Sequence, residues 1–122
     1  MIIMSSILTS VKKQLGIDAD YTQFDQDIIM HINSVFSILT QLGVGSDDGF
    51  SITGDTEEWT DFIDEDPRLE MVKSYVGLKV RMIFDPPTSS PIAEAIKQNI
   101  AELEYRMYVL TDNDRNEKEK EG

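Results

Sequence analysis

The sequence predicts an all-α fold: a small bundle of four helices plus a short extra helix, ending in an antiparallel helical hairpin. Large apolar residues recur at three- and four-residue steps in four separate segments, which is the signature of helix faces. Proline falls only between those segments or in a first turn, where a helix tolerates it. The one alternating run, Phe50-Ser51-Ile52-Thr53, predicts no more than a short extended piece.

The first helix follows a Ser5 or Ser6 cap and carries Ile7, Leu8, Val11 and Leu15 on one side. Lys12 and Lys13 suit the negative end of its dipole, and Gly16 stops it. The second helix spans 22–43, with Phe24, Ile28, Ile32, Val35, Leu39 and Leu42 in one row that Ile29 and Phe36 widen. Thr22 and Asp25 have the spacing of a capping box, and Gly43 sits where a left-handed stop costs least.

From 43 to 66 the chain turns acidic, with no Lys or Arg. A connection of this length is usually functional, interfacial or mobile. Thr56 is placed to cap a turn or two carrying Trp59, Phe62 and Ile63. Asp66-Pro67 then opens a helix running to Phe84. It has two apolar rows: Leu69, Val72, Val76, Val80 and Ile83 in one, Met71, Tyr75, Leu78 and Met82 in the other. A helix apolar over so much of its girth is either central or shared with another molecule.

Asp85-Pro86-Pro87 ends that helix, because proline disfavours the helical conformation in the residue before it. Ser90-Pro91 starts the last one, which bears Ile92, Ile96, Ile100, Leu103, Met107 and Leu110 on a narrower stripe, with Glu102 and Arg106 spaced to pair. The expected organisation is a single helical domain over 1–111. The charged stretch 112–122, which has no apolar residue, is expected to be a disordered tail.

Composition narrows the function. The 122 residues carry 11 basic against 23 acidic side chains, a net charge of −12 and a pI near 4.3. Tight nucleic-acid binding draws its affinity from Lys and Arg on phosphates, so direct affinity for DNA is rejected. No apolar run approaches the roughly 20 residues of a membrane span, and the opening MIIMSSIL lacks the basic lead of a signal peptide. With no cysteine there is no thiolate nucleophile and no disulfide framework.

No catalytic constellation emerges. His31, the only histidine, lies on the shoulder of an apolar face and is expected to pair with Asp27, four residues back. Asp112, Asp114 and Asn116 imitate the start of a calcium loop, but Glu117 stands where that loop requires glycine. Catalytic, cofactor and metal sites are therefore expected to be absent. More informative is an apolar surplus: Trp59, Phe62, Met71, Tyr75, Leu78, Met82, Tyr105 and Tyr108 exceed what a small bundle must bury. Part of that set belongs to the core and the rest is expected at a subunit or partner interface, where aromatic residues and methionine are favoured.

The runs DADYTQFDQDIIMHINSVFSILTQLGVG, FSITGDTEEWTDF and LEMVKSYVGLKVRMIFDPPTSS resemble the small head–tail connector (adaptor) proteins of tailed phages and prophages, also labelled DNA-packaging proteins. The resemblance spans about 6–110, and the DPPTSS turn and the Tyr-Thr-x-Phe-Asp start are its most specific parts. It implies an all-helical, non-enzymatic virion protein, assembled in the bacterial host cytoplasm. Its copies would form a ring, usually dodecameric, under the portal protein. The ring would extend the DNA channel and meet a downstream connector or stopper protein, with DNA passing through unbound and no membrane involved. On that reading the acidic Asp47, Asp48, Asp55, Glu57 and Glu58 are expected to face the channel or its mouth. The competing class is a small acidic binding module, such as a DNA mimic on a basic partner. A metal-dependent hydrolase built on the acidic loop is a third.

Overall fold

The computed structural model describes residues 6–63 and 67–121, with side chains described to residue 113. Five helices follow in order: α1 (Ile7–Gln14), α2 (Asp25–Gln41), the single turn α3 (Trp59–Phe62), α4 (Leu69–Phe84) and α5 (Ser90–Glu121). No strand occurs among the described residues; Ser6 and Glu58 form one isolated antiparallel bridge. The all-α bundle expected from the sequence is the fold observed.

α4 is the hub, packing against α1, α2 and α5. Its first row supplies Val72, Val76 and Val80 to the core, and Tyr75 of the second row is buried with them. Gly77 of α4 lies against the end of the Gln14 side chain of α1, which a Cβ there would displace. α2 contributes Ile28, Ile32, Val35, Phe36 and Leu39, all fully buried. The last two long helices form the expected antiparallel hairpin, and two cross-links fix its register. Arg68 donates to Thr111 Oγ1 at 2.8 Å, and the Tyr75 hydroxyl donates to Glu104 Oε2 at 2.6 Å. Seven residues forward on α4 are thus seven back on α5.

The α1 cap agrees with the expectation, and several other termini differ from it. Ser6 caps α1, its hydroxyl accepting from Thr9 N. α2 begins at Asp25, three residues after Thr22, with Phe24 at the cap position and no side-chain cap bond. The Asp25 carboxylate is engaged elsewhere: its Oδ1 lies 2.8 Å from Lys12 Nζ, as a charge contact and not as an aligned hydrogen bond. Lys12 is 2 % exposed, and its ammonium also donates to the carbonyls of Ala19 at 3.0 Å and Tyr21 at 2.6 Å. One lysine thereby ties α1, the following loop and the start of α2 together.

α3 is capped by Glu58 and not by Thr56, in a reciprocal box with Asp61. The Asp66 cap expected for α4 lies outside the described residues. Ser89, one residue earlier than expected, stands at the head of α5, its hydroxyl 3.5 Å from Ile92 N. α5 continues as helical backbone to Glu121, through most of the stretch expected to be a disordered tail. A helix closes its own backbone bonds, and the Glu and Lys of this stretch favour helix.

The long connection from α2 to α3 is tethered at three points. Gly43 takes φ +85° and ends α2 as expected, with Val44 N donating to Leu39 O. Asn33 holds Ile52 by both backbone groups: its amide donates to Ile52 O at 3.0 Å and accepts from Ile52 N at 2.8 Å. The side chain replaces a strand partner, which explains why the run from Phe50 alternates in burial without forming a sheet. Ile7 N donates to the Glu57 carbonyl at 3.0 Å, closing the loop onto the head of α1.

Candidate subunit interface

Two shallow grooves flank α5, one on each side. Because α4 starts opposite residue 110 of α5, the hairpin opens at that end. There Met71 of α4 and Tyr105, Arg106, Val109 and Leu110 of α5 line the first groove. The second runs between the C-terminal end of α2 and α5, lined by Gln41, Leu42, Tyr108, Thr111 and Asp112. Tyr105 is 66 % exposed and Tyr108 55 %, so each groove has an aromatic residue standing largely in solvent. The first groove has the aromatic, methionine and arginine content favoured in interface cores, and the second is more polar.

The remaining residues of the apolar surplus divide between core and surface. Trp59 and Phe62 are core residues of the single chain. The Trp59 indole N–H donates to Ser10 Oγ at 3.2 Å. Phe62 stacks 4.6 Å from Phe36 in a ring cluster completed by Phe50. α3 brings both inward because its two inward positions fall on one side of a single turn. Tyr75 is also core, and its phenol is held well above the usual range, by burial first and then by the Glu104 carboxylate. These three offer no surface to a partner. Met71, Leu78 and Met82 are partly buried.

The acidic candidates also separate. Asp47, Asp48 and Asp55 are exposed. Glu57 is turned onto its own loop, accepting from Thr53 N at 2.8 Å, Thr53 Oγ1 at 3.0 Å and Gly54 N at 3.4 Å. Partial burial pushes its carboxyl up, but the hydrogen bonds from Thr53, from its own amide and from Gly54 together hold it below the usual carboxylate value. Glu58 caps α3. Those two acids shape the loop, and three stand free of it.

One apolar feature went unpredicted. Tyr21, Phe24 and Phe84 form an aromatic ledge at the other end of the bundle, with ring centroids 5.7 and 5.4 Å apart. His31 sits 6.4 Å from Phe84 on the same ledge, and no ion pair with Asp27 forms. The sequence placed Phe24 in the core row, but α2 starts after it, so the ring projects at the helix entry and is 37 % exposed. The pattern that could have found this ledge is the aromatic pair Tyr21 and Phe24 at the head of one helix, facing Phe84 at the foot of another.

Among the described residues no group of three or more His, Asp or Glu side chains converges to hold a metal ion. No helix among them is long and apolar enough to cross a membrane.

No curated protein and no solved structure matches the chain. A family model does: the phage connector protein family, over residues 7–114. That match takes in all of α1 to α4, both grooves and the whole of the proline turn. The chain belongs to the phage connector protein family, a family of structural proteins.

Proposed function

We propose that this chain is a head–tail connector subunit with no enzymatic activity, whose copies close into a ring beneath the portal protein. The ring extends the DNA channel from head to tail and offers its far side to the next connector or stopper protein. The observation that carries this reading is the pair of unfilled grooves beside α5, which lie on different flanks of one subunit. A ring needs two different surfaces on each copy, because its contacts are heterologous. Met71, Leu78, Met82, Tyr105 and Tyr108 are the residues assigned to contacts between subunits or with the portal.

Asp47, Asp48 and Asp55 are assigned to the channel or its mouth. DNA is a dense polyanion, and a wall of carboxylates keeps it from adhering as it passes. The domain that assembles spans 1–111, with 112–122 as an appendage to it. The subunit acts in the virion at the head–tail junction after assembly in the host cytoplasm.

Light scattering across a concentration series, with and without portal protein, tests the reading. A connector gives one closed species of many copies on the portal. An acidic module that mimics DNA gives instead a complex of low stoichiometry with a basic partner, weakening steeply with salt, and that result would overturn the assignment.

A further inference from the structure

Electrostatics restricts which exposed apolar patches can meet in a chain of net charge −12. Among the described residues seven large apolar side chains are exposed: Tyr21, Phe24, Met30, Ile83, Ile92, Tyr105 and Tyr108. Carboxylates border most of them. Asp20 precedes Tyr21 in sequence, Asp27 lies one turn before Met30, and Asp85 lines the same hollow as Ile92, together with Arg81. Asp112 lines the Tyr108 groove. Two such patches brought together between copies would repel.

The Tyr105 groove has Glu102 and Glu104 near it in sequence, but no carboxylate in its lining. Its apolar floor is Met71, Val109 and Leu110, and its rim carries Arg106. Arg106 is exposed and makes no ion pair among the described residues, the expected partnership with Glu102 included. It offers an unspent positive charge beside an open apolar groove.

The complementary surface is the outer face of α2. Met30 points away from the buried stripe and is 58 % exposed, more than any other large aliphatic side chain described. Asp27 lies three residues before it, close on the same face, exposed and without an ion-pair partner. Methionine is unbranched and adaptable, fills irregular grooves and makes favourable sulfur contacts with aromatic rings.

We infer that a second copy of this chain docks the outer face of its α2 on the α4–α5 groove, placing Met30 on the floor beside Tyr105 and Asp27 against Arg106. The two surfaces belong to different helices, so the contact is heterologous and propagates from copy to copy. The inference rests on the ring reading above and names the contact that builds the ring.

The absence of native cysteine makes the test clean. A chain carrying both Met30→Cys and Val109→Cys is assembled with portal protein and treated with a short bis-maleimide. A ladder of covalent multimers is expected from the double variant, and none from either single variant. Arg106→Glu and Asp27→Lys should each weaken assembly roughly tenfold or more, and combining them should restore it, since reversal of both partners returns the attraction. Light scattering on the untreated wild type separates the failures. If no ring forms, the ring reading falls and this contact with it. If rings form without a ladder, if one cysteine alone cross-links, or if the charge reversals leave assembly unchanged, this contact alone is overturned.

Discussion

Gly45 and Glu57 hold the acidic loop by opposite means, one by lacking a side chain and the other by carrying a charge. Gly45 has φ +84°, and a Cβ there would lie 2.7 Å from a ring carbon of the buried Phe62. Gly45→Ala should therefore cost about 3 kcal/mol, the left-handed penalty of an L-residue plus displacement of a packed ring. Gly49 has φ +86° but open space around it, so Gly49→Ala should cost only about 1 kcal/mol. Urea unfolding of the two variants isolates the ring contact. Glu57 makes a pH prediction. Its carboxyl is lowered in the folded state, so its contribution is present above the ordinary carboxylate value and is lost as pH falls through the lowered one. Stability measured below pH 5 should fall less steeply in Glu57→Gln than in the wild type. None of this was visible in the sequence, which showed only that the loop was acidic and contained glycines. Which carboxylate turns inward depends on the shape of the loop, in which Glu57 reaches back to Thr53 and Gly54 while its carbonyl is held by Ile7 of α1.

Helix existence and helix faces were legible because burial follows periodicity. The rows read for α2, α4 and α5 supply the buried Ile28, Ile32, Val72, Val76, Ile96 and Ile100. The role of Lys12 was not legible. A lysine in a last turn reads as a dipole partner, yet this one is buried, and only the fold brings two carbonyls and Asp25 around its ammonium. Lys12→Ala should lower stability by about 3 kcal/mol, near the low end for breaking a buried ion pair, because Asp25 keeps some contact with water. Thermal unfolding followed by circular dichroism measures it. The α4–α5 hairpin carries a spectroscopic prediction. Of the four tyrosines, Tyr21, Tyr105 and Tyr108 are exposed, whereas the Tyr75 phenol is fully buried and donates to Glu104. In alkaline titration of the folded chain the Tyr75 phenol should ionise late, above the ordinary tyrosine range, because burial and the Glu104 carboxylate both disfavour the phenolate. In Tyr75→Phe that late step disappears, and stability falls by about 1–2 kcal/mol through loss of a hydrogen bond to a charged acceptor.

At the scale of the whole molecule, the bundle carries an aromatic ledge at one end and exposed carboxylates on the connection from α2 to α3. The apolar surplus was legible as a quantity but not in its distribution. Trp59, Phe62 and Tyr75 went to the core because α3 and the hub position of α4 turn them inward, and Tyr105 and Tyr108 stayed outside. Side chains without room in a monomer's core are the material from which subunit contacts are made. Electron microscopy of the chain mixed with its portal protein addresses the connector role most directly. Closed rings of many copies seated on one face of the portal are the result expected. Single copies scattered on the portal, or a portal left bare at saturating concentrations of chain, would contradict it.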